Sequence, residues 1–153
     1  MKLRSWQAEA FPLWWDKQQG IIKVVTGGGK TFFAIHCIKE YLKTSPKKDI
    51  LIVVPSIALL DQWNEALLEN NINQEIVLNG GGEKVDKSAK IIVTTIDSLK
   101  NILDLVNAEN SLLIVDECHK IGTEKRGDML SNNSVSYTHL RAHETSLHRV
   151  CRL

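Results

Sequence analysis

Residues 20–44 read GIIKVVTGGGKTFFAIHCIKEYLKT: a short β-branched run, three consecutive glycines, then an amphipathic run with Phe33, Cys37 and Tyr41 at i, i+4 and i+8. β-Branched side chains favour a strand, and the 3.6-residue period favours a helix. The glycines between them mark a tight strand-to-helix turn. A strand that turns directly into a long helix cannot pair with its successor as a hairpin. It points to a parallel sheet with crossover helices.

The remaining chain keeps that rhythm. DILIVVP (49–55) is a continuous apolar run, as expected of a strand buried on both faces. SIALLDQWNEALLEN (56–70) reads as an amphipathic helix with Ser56 as its N-cap. EIVLN (75–79) and AKIIVTT (89–95) read as strands around the turn GGGEKVDKS. IDSLKNILDLVN (96–107) reads as a helix that Asp97 caps or opens, and SLLIVDE (111–117) as the last strand. In front of all of these, SWQAEAFPLWWDKQ (5–18) reads as a helix with Pro12 inside it and Trp6, Ala10 and Leu13 along one side. The expected fold is α/β, a parallel sheet with helices on both faces, and 153 residues suffice for one such domain.

Composition narrows the function classes. A net charge of +1 offers no bulk attraction to a polyanion, so any nucleic-acid contact must be local. Cys37, Cys118 and Cys151 have no metal spacing and form no CxxC pair, which argues for a reducing cytoplasm. No apolar run reaches the roughly 18 residues of a membrane span. The opening MKLRSWQAEA has no apolar core of a signal peptide.

Two stretches carry chemistry. In VVTGGGKT (24–31), backbone N–H groups of a glycine-rich turn can converge on phosphate oxygens at a helix N-terminus. Thr26, Gly27, Gly28 and Gly29 form the cradle, Lys30 supplies charge for the β and γ phosphates, and Thr31 offers a hydroxyl to Mg2+. Val24 stands where the pattern expects a glycine. A plain glycine-rich turn would explain the glycines but not GKT at a helix start. In LLIVDECHK (112–120), paired acids close an apolar strand at the sheet edge where ligands bind. Asp116 is placed to anchor Mg2+, and Glu117 to orient or deprotonate the attacking water.

TGGGKT and DECH resemble motifs I and II of the DExH-type helicases and translocases of superfamily 2, and the resemblance covers nearly all of residues 1–130. It implies a RecA-like P-loop domain that binds ATP and Mg2+. LRSWQAEA resembles the family's Q-type motif, which implies that Gln7 reads the adenine edge, with Arg4 or Trp6 flanking the base; a core role for Trp6 is the alternative. VVPSIALLDQW resembles motif Ia and VTTIDSL motif Ib, which implies nucleic-acid contacts from Pro55, Ser56, Thr94 and Thr95. His119 would couple the ATP site to those contacts. LRxxQ, DQW and DECHKIG are closer to the restriction-subunit and excision-repair branch than to the DEAD-box RNA branch, so DNA is the expected partner, with RNA as the alternative.

The tail departs from that pattern. Back-translation of VSYTHLRAHET (135–145) resembles the end of a transposase-type sequencing adapter, and the segment shows neither alternation nor a helical stripe. Residues 1–134 are therefore expected to be an incomplete ATP-binding domain, and 135–153 a non-native tail. Without Arg141, Arg149, Arg152 and Glu144 the net charge moves from +1 to −1. The SAT motif of the family and a second RecA-like domain with its arginine finger are absent from the sequence. Two rival readings stay open: a P-loop ATPase switch with no nucleic-acid track, and a non-catalytic nucleotide- or DNA-binding module.

Overall fold

A computed structural model describes residues 2–17, 20–44, 49–72, 74–80, 89–102, 111–117 and, for the backbone alone, 136–141. The elements run α1 (Ser5–Lys17), β1 (Gly20–Lys23), α2 (Lys30–Thr44), β2 (Asp49–Val54), α3 (Ile57–Glu69), β3 (Ile76–Asn79), β4 (Ile91–Thr95), a 3-10 turn (Leu99–Asn101), β5 (Ser111–Asp116) and β6 (Ser136–Arg141). The strands form one parallel sheet in the order β1-β6-β5-β2-β4-β3.

Strand alternation divides the core into two layers. Ile50, Ile52 and Val54 of β2, Ile91 and Val93 of β4, and Leu112 and Ile114 of β5 face one cluster with Ala10, Trp14, Phe33, Ile38, Leu60 and Trp63 of the helices. Leu51, Val53, Ile92, Leu113 and Val115 face the other, with Ile96, Leu99 and Ile102. Successive side chains of a strand point to opposite faces, so a sheet covered on both sides needs unbroken apolar strands. The continuous runs in β2, β4 and β5 meet that need.

α2 buries Phe33, Cys37 and Tyr41 as its period requires. In α1 the inward stripe is Gln7, Ala10 and Trp14, and Leu13 points outward at 60% exposure. The expected Trp6–Ala10–Leu13 face is thus corrected: the helix turns to bury the larger Trp14. Pro12 lies inside α1 and is exposed, as is Ala8, whose carbonyl would otherwise accept the missing N–H. Water can take that carbonyl.

β3 and β4 pair in parallel, Ile76 beside Ile91 and Asn79 beside Thr94. The connection between them is therefore a return to the opposite sheet end rather than a hairpin turn. Of the helix expected over 96–107, residues 99–101 form a 3-10 turn and 103–107 lie outside the described residues.

The sequence suggests no element in the tail, yet residues 136–141 form β6, hydrogen-bonded to β1 on one side and β5 on the other. The domain expected to be incomplete at its C-terminal end has a strand at this position. β1 pairs with the sheet through β6. The space between β1 and β5 is a strand wide, and backbone pairing into it requires no particular side chains.

Candidate active site

The glycine-rich turn joins β1 to α2 at the C-terminal edge of the sheet. Gly27 and Gly29 have φ of +75° and +89°, where a side chain is disfavoured. Gly28 is needed for another reason: a Cβ there would lie 2.2 Å from Val24 Cγ1 and 2.9 Å from the Val25 carbonyl oxygen. Val24, the departure from the motif, fills the space beside Gly28. The Gly28 N–H donates to the Val25 carbonyl at 2.9 Å and closes the turn.

The start of α1 fastens this loop. Arg4 Nη1 donates to the Gly27 carbonyl (3.3 Å), Trp6 Nε1 to that of Gly28 (3.1 Å) and Gln7 Nε2 to that of Gly29 (2.9 Å). Three successive carbonyls thus face α1. A trans peptide sets its N–H opposite its C=O, so the Gly29 and Lys30 amides point away from α1. Trp6 also packs on Phe33 of α2, ring centroids 5.5 Å apart.

This arrangement departs from the adenine-reading role expected of Gln7. Gln7 is fully buried, its Nε2 is bonded to the loop, and its Oε1 accepts from the Arg4 N–H at 2.8 Å. In this geometry its amide is spent on the protein itself. Arg4 is exposed and Trp6 half-buried, both beside the loop.

The acids enter from β5. Asp116 is 6% exposed, and its Oδ2 accepts from Trp63 Nε1 of α3 at 2.9 Å. Burial pushes the Asp116 carboxyl above its ordinary range, while the Trp63 hydrogen bond and the Lys30 charge pull the other way. Glu117 follows with φ of +52°, in the left-handed region. For a residue with a Cβ, such backbone costs about 1–2 kcal/mol. Strain of this kind gathers at functional sites. Its carboxylate reaches to 3.7 Å from Lys30 Nζ, an ion pair across the sheet edge with both side chains largely shielded.

These residues fit a magnesium nucleotide. The loop amides turned from α1, the Lys30 ammonium and the N-terminus of α2 suit phosphate oxygens. Thr31, half-buried in the first turn of α2, and Asp116 supply the hard oxygens Mg2+ prefers. Mg2+ is commonly shared between one or two carboxylates and substrate phosphates. No group of three or more His, Cys, Asp or Glu suited to a metal occurs among the described residues. Thr26 is exposed at the loop's outer side.

The proposed nucleic-acid residues divide. Pro55 and Ser56 sit at the start of α3, with Ser56 exposed and its Oγ accepting from the Leu59 N–H as the expected N-cap. Thr94 and Thr95, expected as nucleic-acid contacts, are buried in this structure, with both hydroxyls bonded within the protein. Thr94 donates to the Asn79 carbonyl at 3.1 Å, and Thr95 to Ser98 Oγ at 3.1 Å. His119 lies outside the described residues. Trp63, in the DQW of the segment after β2, is a residue of the site with no role in the motif pattern; its one sequence signal is an indole among leucines on a buried helix stripe.

A parallel sheet with a phosphate loop after β1 and paired acids after β5 defines a P-loop domain of the RecA-like class. The chain belongs to the family described as type III restriction enzyme, res subunit, whose match spans residues 1–146 and so includes β6. It is similar to the DNA 3'-5' translocase XPB2 of Sulfurisphaera tokodaii, 36% identical over 124 residues that cover 81% of this chain and 26% of that protein. It is also similar to the putative DNA 3'-5' helicase Rad25 of Halobacterium salinarum, 29% identical over 81% of this chain and 20% of that protein. The chain thus spans about a quarter or less of the length of these curated relatives.

Solved structures share the fold. The SWI2/SNF2 ATPase core of Sulfolobus solfataricus in complex with dsDNA superposes with a TM-score of 0.78 at 19% identity, over 96% of this chain and 33% of that one. The UvsW helicase of bacteriophage T4 does so with a TM-score of 0.74 at 22% identity, over 93% of this chain and 52% of that one. The helicase-type RecA-like fold and nucleotide use therefore stand.

Proposed function

We propose that the chain is the ATP-binding first motor domain of an ATP-dependent DNA helicase or translocase. One observation carries this reading: Lys30 of the phosphate loop meets Glu117 at 3.7 Å beside buried Asp116, at the sheet edge where the loop opens. A plain glycine-rich turn has no need to bring a lysine and two acids together, at the cost of a buried carboxylate and a left-handed glutamate.

In this mechanism Lys30 and the loop amides hold the β and γ phosphates. Thr31 and Asp116 would hold Mg2+, which would supply positive charge against the charge developing on the transferred phosphoryl group. Glu117, released from Lys30, orients water and takes its proton. Arg4 and Trp6 lie where a base would meet the loop, and Pro55 and Ser56 face a DNA backbone at the start of α3. His119 couples the two regions. A second RecA-like domain of the same parent chain supplies the arginine finger, worth roughly 10³–10⁵ in related phosphoryl transfer. The setting is the cytoplasm; among the described residues no helix is long and apolar enough to cross a membrane.

The domain boundary is part of the proposal. Residues 1–134 are the domain's own chain, and 135–153 are a non-native tail, of which 136–141 occupy the strand position through backbone bonds. Sequencing the genomic locus across Ser134 decides this: the same codons read from independent DNA would make the tail native.

ATP turnover by the full-length protein, with no nucleic acid, with single- or double-stranded DNA, and with RNA, tests the function. DNA-stimulated turnover that is lost in Lys30→Ala supports it. Turnover indifferent to every nucleic acid supports the ATPase switch instead, and no turnover with tight nucleotide binding supports the non-catalytic module.

A further inference from the structure

Trp63 belongs to the inward stripe of α3 with Leu60 and Leu67. Packing alone asks for an apolar side chain there, and leucine or phenylalanine would serve. The indole differs by one N–H, a donor only. At 1% exposure that N–H is cut off from water, and it is aimed at Asp116 Oδ2, 2.9 Å away and 53 residues along the chain. A buried donor needs a partner, and here the partner is the acid that the nucleotide site uses for its metal.

The bond does something specific to that acid. The terminal torsion of an aspartate is soft, so a lone carboxylate can present either oxygen at many angles. Engaging Oδ2 from the helix side restrains that torsion, together with the Glu117 backbone N–H that also bonds the carboxylate. A donor-only group cannot itself compete for a cation. Trp63 also stands seven residues after Ser56, about 10 Å along the helix axis. The helix whose first turn carries the exposed Ser56 is thereby tied to the metal-binding acid.

We propose that Trp63 is a positioning residue that holds the Asp116 carboxylate for the metal ion of the nucleotide site. The inference rests on the nucleotide-site reading above. Outer partners of metal ligands typically contribute 10–100-fold to metal affinity, and that is the scale expected here.

The test uses the full-length protein and two replacements. Trp63→Phe removes the N–H and keeps an aromatic ring. Benzothienylalanine installed at position 63 removes the N–H with nearly unchanged shape, and covers the case in which Trp63→Phe does not fold. Mn2+ binding in the presence of a non-hydrolysable ATP analogue is followed by electron paramagnetic resonance, and the Mg2+ dependence of ATP turnover is followed in parallel. The expected result is a rise of about tenfold or more in the half-saturating concentration of both ions, with the analogue's affinity in EDTA within twofold of wild type. Metal half-saturation within twofold of wild type in the benzothienylalanine protein overturns the positioning role. An equal loss of metal and metal-free analogue binding also overturns it, since that marks general damage. A wild-type protein that binds neither the analogue nor Mn2+ removes the nucleotide-site reading, and this inference with it.

Discussion

Lys30 Nζ lies 3.7 Å from Glu117 Oε1, so the cation of the phosphate loop and the second acid of β5 form an ion pair across the sheet edge. Both side chains are mostly shielded, and neither has an ideal hydrogen bond to the other at that distance. In the proposed mechanism the pair parts, Lys30 going to phosphate and Glu117 to water.

Substitution at the two ends should therefore separate binding from chemistry. Lys30→Ala in the full-length protein should lower ATP turnover by about 10²-fold or more, the scale for losing one donor to developing charge. Glu117→Gln should slow turnover by about 10²–10⁴, the usual worth of a general base, while nucleotide binding persists. Single-turnover kinetics with direct nucleotide titration measure both. Wild-type turnover in Glu117→Gln would remove the role given to that residue.

Gln7 offers a test between two roles. If its amide reads adenine, Gln7→Ala should relax the choice of ATP over GTP and leave the ligand-free protein as stable as before. The bonds to Gly29 and Arg4 lead to the opposite expectation. Two part-buried backbone groups lose their partner, and the ligand-free protein should lose about 1 kcal/mol. Urea unfolding without nucleotide distinguishes the outcomes.

Val24 and Gly28 should be coupled. Gly28→Ala forces a Cβ against Val24 Cγ1, and overpacking of this kind costs about 1–3 kcal/mol. Adding Val24→Gly should recover part of the loss and no more, because the Val25 carbonyl stands 2.9 Å from the same Cβ. A double-mutant cycle on nucleotide affinity measures the coupling. Strict additivity would show that the valine does not restrict Gly28.

Asp116 should weaken the fold that it equips. Burial raises its pKa above the ordinary 3.8, so the folded chain binds that proton more tightly than the unfolded chain. The stabilisation from the protonated form is complete below the unfolded value and is lost as pH rises through the folded one. Asp116→Asn, which can still accept from Trp63, should match wild type at pH below the ordinary carboxylate range and become the more stable protein as pH rises through the raised folded value, while turnover falls. Thermal midpoints without Mg2+ from pH 3 to 8 trace the difference. A gap that does not grow with pH would mean the carboxylate is ionised at no cost.

The β6 strand gives a prediction for the chain as it stands. Removal of residues 135–153 takes away the strand that β1 pairs with and leaves one edge of β5 bare. The shortened chain should unfold at lower urea, although every loop and acid residue of the nucleotide site is retained. Equal midpoints would mean that β6 contributes nothing to the sheet.

The sequence by itself determined the local elements and the chemistry-bearing ends of the strands. Continuous apolar runs in β2 and β5, the helical stripe of α2 and the order of glycines before Lys30 are properties of neighbouring residues, and neighbours in sequence fix backbone preference. Family membership was legible for the same reason, since its motifs are short and local. Only the tertiary structure decided relationships between distant residues. Gln7 is bonded to the Gly29 carbonyl because α1 packs against the loop 22 residues on. Thr94 has its hydroxyl on the Asn79 carbonyl of the neighbouring strand, and Thr95 on Ser98 in the turn after β4. Trp63 became a partner of Asp116, and 136–141 became a strand, through burial and backbone pairing across the sheet. Side-chain identity lists which hydrogen bonds a residue can make; the packing of elements far apart in the chain selects the one it makes.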